Sequence, residues 1–93
     1  VLDLRTLVPI DHEAIAQTVQ KTGRVLLLHE DSGFMGFGAE LAAYIAQHLF
    51  EYLDAPPMRV ASLDTPVPFA PPLERQYMAS ARLESAIQKL LEY

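Results

Sequence analysis

Val25-Leu26-Leu27-Leu28-His29 is apolar at every position until its last. A continuous apolar run of this length reads as a strand buried on both faces, the habit of parallel sheets. A second such run, Met58-Arg59-Val60-Ala61-Ser62-Leu63, reads the same way. Between them lies a helical pattern from about Ala39 to Tyr52, with Leu41, Ala42, Ile45, Ala46 and Leu49 on one broad apolar face. Strand, helix and parallel strand form a right-handed crossover, so the fold class is α/β with a mostly parallel sheet.

The pattern extends in both directions. Upstream, Asp11 stands where an N-cap belongs, with Glu13 in the first turn and Thr22-Gly23 as the stop of a helix carrying Ala14, Ile15, Thr18 and Val19. Before it, Val1 to Thr6 reads as a short strand closed by Pro9. Downstream, a last helix is expected from about Ser80 to Glu92, with Leu83, Ala86, Ile87, Leu90 and Leu91 spaced for burial. Three strands are too few for a sheet covered on both faces, and Val1-Leu2-Asp3-Leu4 opens inside an apolar strand. Residues 1–93 therefore read as one partial domain, the tail of a longer protein with its first strands missing.

Between the third strand and the last helix runs Leu63-Asp64-Thr65-Pro66-Val67-Pro68-Phe69-Ala70-Pro71-Pro72. Each proline fixes its own φ and pushes the residue before it toward extended backbone. The segment is a stiff arm that carries Asp64 and Phe69 away from the carboxyl end of a strand, where open α/β sheets meet ligands and partners.

Composition narrows the function. A net charge of -5 argues against a nucleic-acid surface and leaves room for a basic protein partner. There is no cysteine, so neither disulfides nor thiolate metal sites hold the fold. No apolar stretch approaches the length of a membrane span.

The glycine loop, Gly33, Gly36 and Gly38, invites a phosphate-binding reading. The dinucleotide fingerprint, however, needs a third Gly or Ala where Leu41 stands, and there is no Walker Lys-Ser/Thr pair. These glycines suit a sharp turn into a close-packed helix instead. Phe34, Met35 and Phe37 put three large apolar groups in the same loop, which favours a contact with another chain. His29-Glu30 at a strand end resembles an acid–base pair but lacks a companion nucleophile, while His12 and His48 have no metal-ligand spacing. Arg5 reads as the partner of Asp3 or Asp64. Glu51 and Asp54 near a helix C-terminus oppose the macrodipole and, with Glu92 and the Tyr93 carboxylate, form a candidate acidic patch.

Asp3-Leu4-Arg5-Thr6-Leu7 with Pro9 and Asp11, then Thr22-Gly23-Arg24, His29-Glu30, Gly36-Phe37-Gly38-Ala39-Glu40 and Asp64-Thr65-Pro66-Val67-Pro68-Phe69-Ala70 follow one another in order. This series resembles the C-terminal domain of the β subunit of thiamine-diphosphate-dependent 2-oxo acid dehydrogenases, within the transketolase C-terminal domain family. The chain departs from that pattern after Tyr77, where Met78-Ala79-Ser80 replaces a region that commonly holds a proline.

The resemblance implies a three-layer α/β/α sandwich. It implies thiamine diphosphate and Mg in the whole enzyme, with neither expected on this segment, and no catalytic, cofactor or metal residues within it. It further implies an α subunit and a second β subunit in an α2β2 heterotetramer, and docking of the acyltransferase core through that core's basic peripheral subunit-binding domain. Its reaction is oxidative decarboxylation of a branched-chain 2-oxo acid or pyruvate with acyl transfer to lipoamide. The expected place is the bacterial cytoplasm, or the mitochondrial matrix in a eukaryote. On this reading Phe34, Met35, Phe37, Asp64, Pro66, Pro68 and Phe69 are candidate subunit-contact residues, and Glu51, Asp54, Glu92 and Tyr93 candidate docking residues. The alternative is a stand-alone small α/β ligand-binding protein or enzyme built on His29, Glu30 and the glycine loop.

Overall fold

A computed structural model describes all residues from Val1 to Tyr93. The elements run in the order α1 (His12–Thr22), β1 (Leu26–Ser32), α2 (Phe37–His48), β2 (Met58–Ser62), α3 (Pro71–Tyr77) and α4 (Leu83–Leu91). Short 3-10 turns at Phe50–Tyr52 and Ala79–Arg82 precede β2 and α4. β1 and β2 pair in parallel, with Leu26 opposite Met58 and Leu28 opposite Val60. The crossover between them is α2, as the apolar pattern requires.

The first helix begins where its sequence says it must. The Asp11 carboxylate accepts from the Ala14 amide at 3.0 Å, satisfying one of the amides the helix leaves unpaired. It ends at Gly23, left-handed at φ 70°, whose N–H donates to the Val19 carbonyl at 2.8 Å. Ile15 and Val19 on α1 meet Leu41 and Ile45 on α2, with Leu49 just past the end of α2, in one buried cluster, and Leu27 of β1 packs against it. Helix α4 lies on the sheet apart from this cluster and buries Leu90. Helices α1 and α2 thus share one buried cluster with Leu27 of β1 against it, and α4 forms another layer, consistent with the three-layer sandwich that the family resemblance implies.

Four expectations are corrected. Val1 to Thr6 is not a strand. Arg5 takes a positive φ of 61° and its N–H bonds to the Asp3 carboxylate at 3.2 Å, so local bonds replace a ladder. An open cavity of about 580 Å³, lined by Leu2, Leu4, Leu7, Leu27, Leu28 and His29 among others, lies between this segment and β1, and β1 pairs with β2 alone. Helix α2 ends at His48 rather than Tyr52, because Leu49 turns out of helical geometry to enter the core. Pro71-Pro72 does not prolong the arm but occupies the first turn of α3, where the missing amide protons cost nothing. Residues 79–82 form a 3-10 turn, so the last helix starts at Leu83.

A Cβ at position 23 would stand against the Asp54 carboxylate in a backbone region that L-residues avoid. Gly23→Ala is therefore expected to cost about 1–2 kcal/mol of stability, read as a lowered midpoint in urea denaturation.

Candidate functional site

Parallel strands give the sheet two unlike ends. At the carboxyl end, β1 runs into the loop of residues 33–36 and β2 into the arm that begins at Leu63. The loop owes its path to His29. The imidazole of His29 fills the space that a side chain on Gly36 or Gly38 would need: a Cβ on Gly36 would lie 2.8 Å from its Cε1, and one on Gly38 would meet Nε2 and Cδ2. Gly38 is thus explained by one ring packed between β1 and the first turn of α2, and Gly36 by that ring together with the Ser32 carbonyl; Gly33 lies away from both.

This packing decides between two uses of the loop. Both nitrogens of His29 are buried and make no hydrogen bond, neither to Glu30, which is exposed, nor to any other group. A general base needs an orienting partner, and this histidine has none within the chain, although its half-buried ring borders the open cavity shared with Leu4 and Leu28. The glycine loop likewise does not fit a diphosphate, since the side of it that Gly36 and Gly38 leave open holds the ring. No group of three or more His, Asp or Glu stands close enough to hold a metal ion.

With His29 seated inside, the tip of the loop is pushed out. Met35 takes a positive φ of 57°, an uncommon and strained backbone for a long side chain. Phe34 is 72% exposed and Met35 85%. Phe37 does not join them: it starts α2 and packs half-buried against the core cluster, which removes it from the expected contact set. Asp64 holds the loop rather than reaching outward, its carboxylate accepting from the Phe34 amide at 2.9 Å. Arg59 adds a bond from Nη1 to the Gly33 carbonyl at 2.7 Å. Beyond Asp64 the arm exposes Pro66, half-buries Pro68, and presents Val67 and Phe69, the latter 96% exposed. Loop and arm are thereby fastened to each other, and four bare apolar side chains stand at one end of the sheet.

The other end mixes acidic residues with exposed apolar ones, Phe50, Leu91 and Tyr93 among them. Glu51 lies in the 3-10 turn after α2, and Asp54 just beyond it, bonding through its N–H to the Gly23 carbonyl at 2.7 Å. Because α2 stops at His48, these acids do not sit on a helix terminus and the expected conflict with its dipole is absent. Arg24 bonds to the main-chain oxygen of Tyr93, while Lys89 shares a shallow hollow with Met58, Glu92 and Tyr93. The acidic residues gather at this end with two cations among them, a mixture the sequence pattern did not reveal. Arg5, paired in expectation with Asp3 or Asp64, meets the Asp3 carboxylate only through its backbone N–H.

The family description "Transketolase, C-terminal domain" matches residues 1–82. The chain belongs to the transketolase C-terminal domain family. Relatives of this domain include the 2-oxoisovalerate dehydrogenase subunit beta of Bacillus subtilis, 42% identical over 100% of this chain and 29% of the relative. The pyruvate dehydrogenase E1 component subunit beta of Leifsonia xyli is also 42% identical, over 100% of the chain and 28% of the relative. A mitochondrial 2-oxoisovalerate dehydrogenase subunit beta 2 of Arabidopsis thaliana is 43% identical over 99% of the chain and 25% of the relative. The transketolase C-terminal domain described here thus spans between a quarter and three tenths of the length of these relatives. Similarity is equal toward the two substrate types, so it does not single out one of them.

The seat of His29 gives a test with a change of sign. Gly38→Ala alone is expected to destabilise by about 1–3 kcal/mol through overpacking. In a His29→Ala background the same substitution lies in a helix with free space beside it, and gains about 0.5–1 kcal/mol from helix propensity. Equilibrium denaturation of the four variants reads both values.

Proposed function

We propose that these residues form an assembly and docking module of the β subunit of a thiamine-diphosphate-dependent 2-oxo acid dehydrogenase. The observation that carries the reading is the exposure of Phe34 and Met35 in a loop tied down by Asp64 and Arg59, and of Val67 and Phe69 in the proline-rich arm that follows β2 at the same end of the sheet. Exposed apolar groups on a fixed frame mark a protein contact, because little ordering entropy is lost when they are covered. The relatives named as β subunits of 2-oxoisovalerate and pyruvate dehydrogenases support an α subunit as the partner covering it.

In the whole enzyme, an α2β2 heterotetramer, the reaction is oxidative decarboxylation of a branched-chain 2-oxo acid or pyruvate with acyl transfer to lipoamide. Thiamine diphosphate and Mg serve that reaction at a site built by other parts of the assembly. This domain contributes the contact surface at one end of its sheet. At the opposite end, Glu51, Asp54, Glu92 and Tyr93 offer an acidic face to the basic peripheral subunit-binding domain of the acyltransferase core. The assembly works in the bacterial cytoplasm or, in a eukaryote, in the mitochondrial matrix.

Two outcomes are expected of the full-length chain. The pair Phe34→Ser and Met35→Ser weakens association with the α-type subunit by roughly tenfold or more, measured by sedimentation, with little change in thermal midpoint. Unchanged association rejects the apolar end as the subunit contact. Asp54→Asn with Glu92→Gln lowers affinity for the subunit-binding domain and flattens its salt dependence, since exposed charge pairs are screened by salt. An unaltered salt slope places docking elsewhere.

A further inference from the structure

The prolines stiffen the arm from within but do not fix it to the body of the domain. Its two ends meet at one place. The Leu63 amide donates to the Tyr77 carbonyl at 3.1 Å, so the segment from Leu63 to Tyr77 leaves the sheet and returns to its starting point. Arg82, at the end of the 3-10 turn before α4, closes the same point from the other side. Its Nη1 donates to the Gln76 carbonyl at 3.0 Å, and its Nη2 donates to the Tyr77 carbonyl at 3.2 Å and to the Ala61 carbonyl of β2. One planar guanidinium therefore joins strand, arm and turn through carbonyls alone, a geometry that an ammonium point charge does not reproduce. Helix α3 touches the rest of the domain chiefly through the turn that carries this arginine. The far part of the segment, with Val67 and Phe69, has no comparable support.

We propose that Arg82 is the positioning residue of the arm, and that Phe69 is the anchor it presents to an apolar pocket on the α-type partner subunit. The inference rests on the subunit-contact reading above. Phe69 is 96% exposed and follows Pro66 and Pro68, which restrict the backbone that carries it. Aromatic groups dominate binding energy when they enter a desolvated pocket, and holding one in place beforehand removes the ordering cost of docking. The occupant is apolar because the side chains at the tip offer it no charge: Asp64 is engaged by the Phe34 amide, and Thr65 to Pro72 contains no ionisable group. Arg82 does not touch the partner. It sets how much of the affinity of Phe69 is realised.

A double-mutant cycle in the full-length chain, co-expressed with its α-type partner, tests this. Phe69→Ala is expected to weaken association roughly tenfold or more. Arg82→Lys, which keeps the charge but not the fork, is expected to weaken it roughly tenfold when Phe69 is present and less than threefold when Phe69 is already alanine. Pro68→Gly, which loosens the arm without touching Arg82, gives the same dependence on Phe69. Amide exchange at Leu63 quickens in Arg82→Lys, because its bond to Tyr77 belongs to the same tie. Equal losses from Arg82→Lys in both backgrounds, or a lowered thermal midpoint with unchanged affinity, overturn the positioning role and leave the subunit contact standing. Full affinity in Phe69→Ala removes Phe69 as the anchor, and this inference falls with it.

Discussion

The imidazole of His29 sits at the end of β1 with its ring against Gly36 and Gly38, and much of the functional end of the domain follows from that contact. Strand and crossover helix cannot come this close unless positions 36 and 38 lack side chains. Once they do, the intervening residues have no room inside and turn outward, with Met35 in a strained conformation and Phe34 beside it. Asp64, from the neighbouring strand end, then has a free amide within reach and fixes the tip. A packing requirement between two core elements is thereby converted into an exposed apolar display at the edge of the sheet.

The same contact gives a packing role to residues that look catalytic. A histidine followed by a glutamate at the carboxyl end of a parallel strand, next to a glycine-rich turn, has the ingredients of an acid–base or phosphate site. Here the ring nitrogens have no hydrogen-bond partner within the chain, and the space beside Gly36 and Gly38 is occupied by the ring itself. Backbone amides can cradle a phosphate only if that space is open.

Sequence pattern made much of the fold legible. The unbroken apolar runs at Val25–Leu28 and Met58–Leu63 identified parallel strands, and Asp11 and Gly23 marked the limits of α1, because burial period and capping chemistry are local. What was hidden depends on neighbours far along the chain. Val1–Leu4 has strand composition, but a strand exists only against a partner edge, and β1 does not reach it. Pro71-Pro72 reads equally as an extended arm or as the first turn of a helix; the choice depends on where Tyr77 can dock. Phe37 shares a loop pattern with Phe34 yet lies one residue inside α2, which turns it to the core. Arg82 carried no signal beyond being a cation at the margin of an apolar helix; two of its carbonyl partners, Gln76 and Tyr77, are near in the chain, but the third, Ala61, lies on β2.

The most direct measurement is amide hydrogen exchange of the full-length chain, alone and bound to its α-type partner subunit. An assembly role for the carboxyl end of the sheet predicts that binding slows exchange at residues 33–37 and in the arm from 63 to 70, with residues 51–54 unaffected. Unchanged exchange in the loop and arm, with protection confined to other surfaces of the chain, contradicts it.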